Sequence, residues 1–534
     1  MSSARHSRNP RRLLLVGFCL AGSFLGWVSF GHAQQMAMQA PSVRNLTGQV
    51  LNAVTGQPVP RALVRLNDRA ILADHDGKFE IDQISDSSGM LQVIKPGFSM
   101  STDAANSPNI FLQLDQLSGP LVIRLYPEGL LTGTISGPDG EPLSHINVLA
   151  RRSVYDESGH HWLPVGFTQT DTHGQFRMPV SAGDYRLQTR YVPHDAELAG
   201  AVLPVAVPTD NSPGASQTIR LHSGEELHFD LHPRVRPTYA VNFRAEADAD
   251  RATPTITARS ADGTTLTVNA MPTRVPGQLQ IELPSGSYSL MARITMAESA
   301  EIAETNVVIA DRDVSGVVMR FSQIPSIPIE LAIDPAETSD NSPPILSQFG
   351  LSLQSVDADS EAGVPGVQVI SHQDAPSILT APPGNYLMRA RNASEWYIKS
   401  ASYGGSDLLR QNLVVAPGAG GVPIRLLVSS QTGGLQGSIL LDGRPSYAWL
   451  YLISSSPSLT PVYTLRSNSD GVVTAPHLPP GNYQAIAFEH RYSADFTDPA
   501  TLAAFATRVE QVTIVAGNTA NVTLDAVPQG ESLP

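Results

Sequence analysis

Four groups of side chains in this sequence have the types and spacing to do chemistry. Asp74-x-Asp76-Gly77 and Asp357-x-Asp359-x-Glu361 set carboxylates two residues apart, as calcium loops do. Neither completes the twelve-residue pattern that ends on a bidentate Glu, so the first reads as a hairpin turn and the second as a solvated loop. His160-His161-Trp162 offers two imidazoles. Neighbours on a strand point to opposite faces, so the pair cannot hold one metal without a bend, and a polar loop with one packed Trp is the plainer reading. The fourth group is Tyr447, Trp449 and Tyr451, alternating along the stretch from Ser446 to Leu452. Three rings on one sheet face would make a flat stacking surface for sugar rings, and they are the candidate ligand-binding residues. The competing reading has that face packed on a C-terminal helix, with Leu502 and Phe505 as partners. No Ser, His and Asp stand in an order that ties them into a nucleophilic triad.

The elements that must position these groups are short strands punctuated by turns. Pro480-Gly481-Asn482-Tyr483 leads into the apolar run Ala485 to Phe488, and the device recurs at Pro383-Gly384-Asn385-Tyr386, Ser285-Gly286-Ser287-Tyr288 and Ala182-Gly183-Asp184-Tyr185. A weaker copy is Pro96-Gly97-Phe98. The Pro-Gly pair suits a type II turn. The copies from Gly183 onward lie roughly a hundred residues apart, the period of a sandwich domain and not of a short solenoid repeat. Ala62, Val64 and Leu66, then Ile146, Val148 and Ala150, then Ala448, Leu450 and Leu452 alternate as inward faces. Alignment on them puts Tyr447, Trp449 and Tyr451 outward, where the first two copies carry Arg61, Leu63, Arg65 and His145, Asn147, Leu149. Asp262-Gly263 reads as a hairpin turn, and the segment from Ser99 to Ser118 as an irregular insertion. One helix is predicted, capped by Asp498 with Pro499 at its first position and Leu502, Phe505 and Ala506 on one face.

Length and composition agree. The 534 residues exceed one ordinary core, and Gly and Pro at 42 each fit many turns better than disorder. The formal charge is −14, with scattered Arg and almost no Lys, which argues against a nucleic-acid partner. Arg5, Arg8, Arg11 and Arg12 precede an apolar run from Leu13 to Phe30, and Gly31-His32-Ala33 supplies small residues for cleavage after Ala33. That pattern reads as a secretory signal, with retention as a membrane anchor the alternative. The one cysteine, Cys19, lies inside the apolar run, so the mature chain has no thiol for disulfides, thiolate zinc or nucleophilic catalysis.

Gly48…Gly56-Gln57-Pro58…Ala62-x-Val64…Asp74-x-x-Gly77-x-Phe79 and Gly133…Gly140-x-Pro142…Val148…Asp171-x-x-Gly174-x-Phe176 resemble the carboxypeptidase regulatory-like domain, a transthyretin-like (prealbumin-like) sandwich. The last hundred residues, with Pro-Pro-Gly-Asn-Tyr and the Asp498-Pro499 helix, are similar to the C-terminal end of large bacterial secreted proteins built from such modules. The family signature consists of turns and core positions, so it implies a fold and says little about function. The family name invites a zinc carboxypeptidase reading, whose ligand set begins with His-x-x-Glu. His194…Glu197 and His222…Glu225 have that spacing. Such a peptidase needs an α/β catalytic domain that this chain does not encode, and the regulatory-like module is the family's non-catalytic appendage. The resemblance to starch-binding-like folds supports the sugar reading of the aromatic strand.

The expected protein is all-β: about five tandem Ig-like or transthyretin-like β-sandwiches after a signal peptide, with one short helix in the last. The expected divisions are 1–33 signal, 34–43 linker, and sandwiches at 44–126, 127–222, 223–322, 323–427 and 428–534. No catalytic residue, metal or cofactor is assigned. The expected function is an exported binding or scaffold protein of the cell envelope or exterior, with a polysaccharide or envelope component as partner and no nucleic acid. The alternative is a structural spacer or assembly partner. Asn45, Asn392 and Asn521 stand in glycosylation sequons.

Overall fold

The computed structural model describes residues 44–100, 109–114, 117, 119–156, 159–193, 200–207, 218–246, 254–295, 300–336, 344–356, 368–370, 377–468 and 470–528. The signal, the cleavage position Ala33, Cys19, the linker, the motif at His194 and Glu197 and the Asp357 to Glu361 loop lie outside the described residues.

The chain forms tandem β-sandwiches, and five apolar cores follow one another in sequence order. Each core lies between two small sheets. In every unit the opening strand pairs in parallel with the closing one. Arg44–Asn52 lies beside Leu121–Pro127, and Gly129–Ile135 beside Glu226–Leu231. Thr238–Glu246 lies beside Val314–Arg320, Ser326–Ile333 beside Ile424–Ser429, and Gly433–Leu441 beside Thr519–Asp525. Parallel neighbours need a long crossover, and here the rest of the unit supplies it. Connections between units are short: Glu128 alone separates Pro127 from Gly129.

This pairing corrects two expectations. The cut expected at 222 severs the second unit before its closing strand, Glu226–Leu231. Ile219–Leu221, the apolar alternation at the end of the expected 127–222 division, pairs antiparallel with Gly183, Asp184 and Tyr185 and does not close the unit. The segment expected as an irregular insertion contains the strand Asn109–Gln113, which pairs with Ser88–Ile94.

Alternation places the inward faces as the sequence implies. Ala62, Val64, Leu66, Ile146, Val148, Ala150, Ala448, Leu450 and Leu452 are all buried. The third unit's hairpin turns at Gly263, φ 87°, between Thr255–Ser260 and Thr265–Asn269.

The Gly-x-Tyr turns are not of type II. Gly183, Gly286 and Gly481 have φ of 154°, 156° and 157°, far from the roughly +80° a type II turn places at its third residue. At Gly286 and Gly384 the tyrosine ring folds back over the glycine, whereas at Gly183 the Arg152 side chain takes the space a Cβ would need. A Cβ on Gly384 would lie 2.9 Å from the Tyr386 hydroxyl, and one on Gly286 3.2 Å from the Tyr288 ring. Folding back brings the phenol to a carbonyl four residues upstream. Tyr386 donates to Pro382 O at 2.8 Å, Tyr483 to Pro479 O at 2.7 Å, and Tyr185 to Ser181 O. This resembles the tyrosine corner of other sandwich domains. Strand register puts Gly89 of the first unit where the second has Tyr185, so the first unit has no ring at that place. Pro96-Gly97-Phe98 is therefore a separate turn beyond the strand, with Gly97 at φ 79°.

Candidate functional site

The aromatic strand is Trp449–Ser454, central between Val462–Arg466 and Gly481–Phe488. Its outward face is covered by the segment that follows Phe488. Tyr451 is only 4% exposed, packed in an apolar cluster with Ile486, Phe488, Phe496, Leu502 and Val527. Its ring lies 4.4 Å from Phe496 and edge-on to Phe488 at 5.8 Å. Its hydroxyl donates to Tyr492 O at 3.0 Å and accepts from Tyr492 N at 2.9 Å. The helix Pro499–Ala503, capped by Asp498 accepting from Ala500 N at 2.9 Å, brings Leu502 onto the cluster, with Phe505 half-buried beside it.

The three rings therefore do not form one flat exposed surface. Tyr447 is 52% exposed and Trp449 half-buried. Two guanidiniums flank what remains: Arg466 lies 5.5 Å from the Tyr447 ring and 5.6 Å from Trp449, and Arg491 lies 5.6 Å from Trp449 on its own account. A large ring gains roughly 1.5–3 kcal/mol on burial, and of the three rings Tyr451 is the one that the cover fully encloses.

A second aromatic surface lies on the hairpin of the second unit, Asn147–Asp156 paired with Gly159–Gln169. Val154 is buried and stands opposite His161, whereas Ser153 Oγ bonds His160 Nε2 at 3.0 Å on the other face. The two histidines thus diverge, as strand alternation requires, and lie on a strand and not in a loop. Trp162 is buried, with the Arg186 guanidinium 4.3 Å above its ring and His160 edge-on at 5.5 Å. Burial holds His160 below the usual histidine range, reinforced by His161 and Arg186.

The tip of this hairpin joins the fourth and fifth units. Gln354 Nε2 donates to His160 O, and Tyr155 N to Ser493 Oγ at 3.0 Å. A pocket of about 220 Å³ lies at this junction, bounded by Tyr155, His160, Gln354, Arg389, Tyr451 and Asp495 among others. It shares Arg389, Pro461, Phe496 and Thr497 with a larger cleft of about 700 Å³ between the fourth and fifth units. Nearby, Leu459 enters the fourth unit's core, and Thr460 Oγ1 donates to Ala390 O at 2.6 Å.

The motifs that could bind metal are spent on folding. Asp74 Oδ1 accepts from Asp76 N and Lys78 N at 2.9 and 2.7 Å. Asp171 Oδ1 accepts from His173 N and Gln175 N at 2.8 and 2.9 Å, and these bonds hold its carboxyl below the usual range. Asn468 does the same for Asp470 N and Val472 N. A neutral side chain serving equally well marks this as a turn and not a cation loop. Asp74, His75 and Asp76 are the one cluster among the described residues with ligand atoms within 4.8 Å of each other, and His75 is bare on the surface. His222 and Glu225 bond each other at 2.9 Å across a turn, Glu225 also accepting from His222 N at 2.7 Å. The sequon at Asn392 is enclosed: its Oδ1 accepts from Tyr463 at 3.3 Å and its Nδ2 is buried without a partner.

Residues missed by sequence reasoning are those of the junction, above all Arg389. Its cleft is assembled from positions 389, 454 and 502, and nothing local in the sequence marks them as neighbours.

No known family and no curated protein matches this sequence. Among solved structures, the Bacillus anthracis TIE protein is similar at 14% identity and a TM-score of 0.16, over 52% of this chain and 51% of that one, so the match spans about half of that protein. A minor pilin of Streptococcus agalactiae is similar at 14% identity and 0.21, over 36% and 97%. A streptococcal ancillary pilin is similar at 12% identity and 0.18, over 53% and 99%. At these scores the likeness carries no argument about this chain. Among the described residues no helix is long and apolar enough to cross a membrane.

Proposed function

We propose that the protein is an exported, non-catalytic scaffold whose sandwiches are folded back on one another into a rigid body. The observation that carries this is the docking of the second unit's hairpin onto the fourth and fifth, through Gln354 to His160 O and Tyr155 N to Ser493 Oγ. The motifs with catalytic or metal-binding spacing being occupied by turn hydrogen bonds supports the same reading. Export rests on the basic and apolar leader ending at Ala33, and the regulatory-like resemblance on the shared turns. Small-angle scattering of the mature chain tests it. A folded-back molecule gives a radius of gyration nearer 30 Å, while five sandwiches in line, each about 35 Å long, give on the order of 50 Å. The in-line value would overturn the reading.

A second, narrower reading keeps a polysaccharide partner at Tyr447 and Trp449, since these rings retain exposure and are flanked by Arg466 and Arg491. In a polysaccharide and peptidoglycan binding screen, Trp449→Ala should then lose at least tenfold in affinity. Binding unchanged by the substitution sinks it.

A further inference from the structure

We propose that the cleft between the fourth and fifth units binds an aliphatic carboxylate, with the head group on Arg389 and the apolar body on the floor. The larger cavity, about 700 Å³, has the size of a small-molecule site. Its floor is apolar, from Ile453, Phe496 and Leu502, and the loop Ser454 to Ser458 lines one wall with hydroxyls. Among the described residues Arg389 is the one cation lining it, and no acid does. The Arg389 Nε is enclosed and has no hydrogen-bond partner, and no ion pair of this residue is formed among the described residues.

Asp495, in the smaller adjoining pocket, is the acid whose charge acts on Arg389, without an ion pair between them. Its Oδ1 accepts from Thr497 N at 2.9 Å and from Thr497 Oγ1 at 2.5 Å. A half-buried guanidinium with an unpaired Nε has donors left to satisfy, and a carboxylate supplies the planar, two-pronged acceptor that fits it. In a chain of net charge −14 such a site stands against the overall field, so local geometry must create it. The inference stands apart from the scaffold reading: scattering tests that one and calorimetry tests this one.

The test is isothermal titration of the mature chain with decanoate and, separately, decanol. Decanoate is expected to bind at least tenfold more tightly than decanol, and Arg389→Gln to remove that difference. Equal binding of the two probes, no heat with decanoate, or decanoate binding unchanged in Arg389→Gln overturns the proposal. Should Arg389→Gln unfold, Ala503→Trp fills the cleft from its exposed wall with Arg389 intact. Loss of decanoate binding there supports the site, and retained binding refutes it.

Discussion

At the scale of single residues, the tyrosines of the Gly-x-Tyr turns decide more than the candidate site residues do. Tyr185, Tyr386 and Tyr483 each put a phenol into the core and return the hydroxyl to the backbone. Burial pushes the Tyr185 hydroxyl up to about 12 and raises Tyr483 as well, in both cases because the phenolate would be desolvated. A folded pKa above the unfolded value of about 10 means that the native state binds the proton more tightly. The stabilisation is then whole below pH 10 and is lost as pH rises towards 12. Tyr185→Phe should cost about 1 kcal/mol at pH 7 for the missing hydrogen bond. It should also flatten the alkaline decline between pH 10 and 12, which denaturant melts across that range would check. A variant that unfolds with the wild-type pH profile would show that the phenol contributes nothing there.

At the scale of elements, the Asp-x-x-Gly turn is the repeated part. Gly77, Gly174 and Gly471 sit at φ of 70° or 71°. A Cβ on them would come within 2.4 Å of Val50 O, 2.4 Å of Ile135 O and 2.3 Å of Ile439 O. Gly174→Ala should therefore destabilise by at least roughly 1–2 kcal/mol from backbone strain alone. Asp171→Asn should be nearly silent at pH 7, as Asn468 implies, whereas Asp171→Ala should lower the melting temperature. Because the Asp171 carboxyl is held low, its share of stability is present above the unfolded pKa and is lost as pH falls through the folded one. Thermal melts from pH 7 down to pH 2 would expose a steeper acid limb in the wild type than in Asp171→Asn. These turns were legible because each is local, six residues long and chemically specific. The inward faces were legible for the same reason, since Val148 and Leu450 follow a period of two. Cover is another matter: Trp449 and Tyr451 share one face and one periodicity, yet Tyr492 and Phe496 close over only one of them fully. The second unit's end was misread because Ile219-Arg220-Leu221 and the true closing strand have the same apolar alternation, and pairing partners are not written in a single strand.

At the scale of the whole molecule, the docked hairpin is the feature that a reading of tandem units along the chain could not supply. Residues near 160 and 354, almost two hundred positions apart, meet at its tip. A Cβ on Gly159, at φ 105°, would come within 2.4 Å of Gln354 Oε1, so the approach there is close. Gly159→Trp should part the second unit from the fourth while leaving each core intact. Scattering should show a larger radius of gyration than wild type with an unchanged circular dichroism spectrum, and an equal radius would mean that the contact does not hold the molecule together.

The parallel pairing of first and last strands has a mechanical corollary. Two neighbouring strands running the same way send the entering and leaving ends of each unit to opposite poles. A pull on the two termini then slides the ladder along its length, loading its rungs together where a peeling geometry would break them singly. Under tension from outside, each sandwich would behave as a shear clasp.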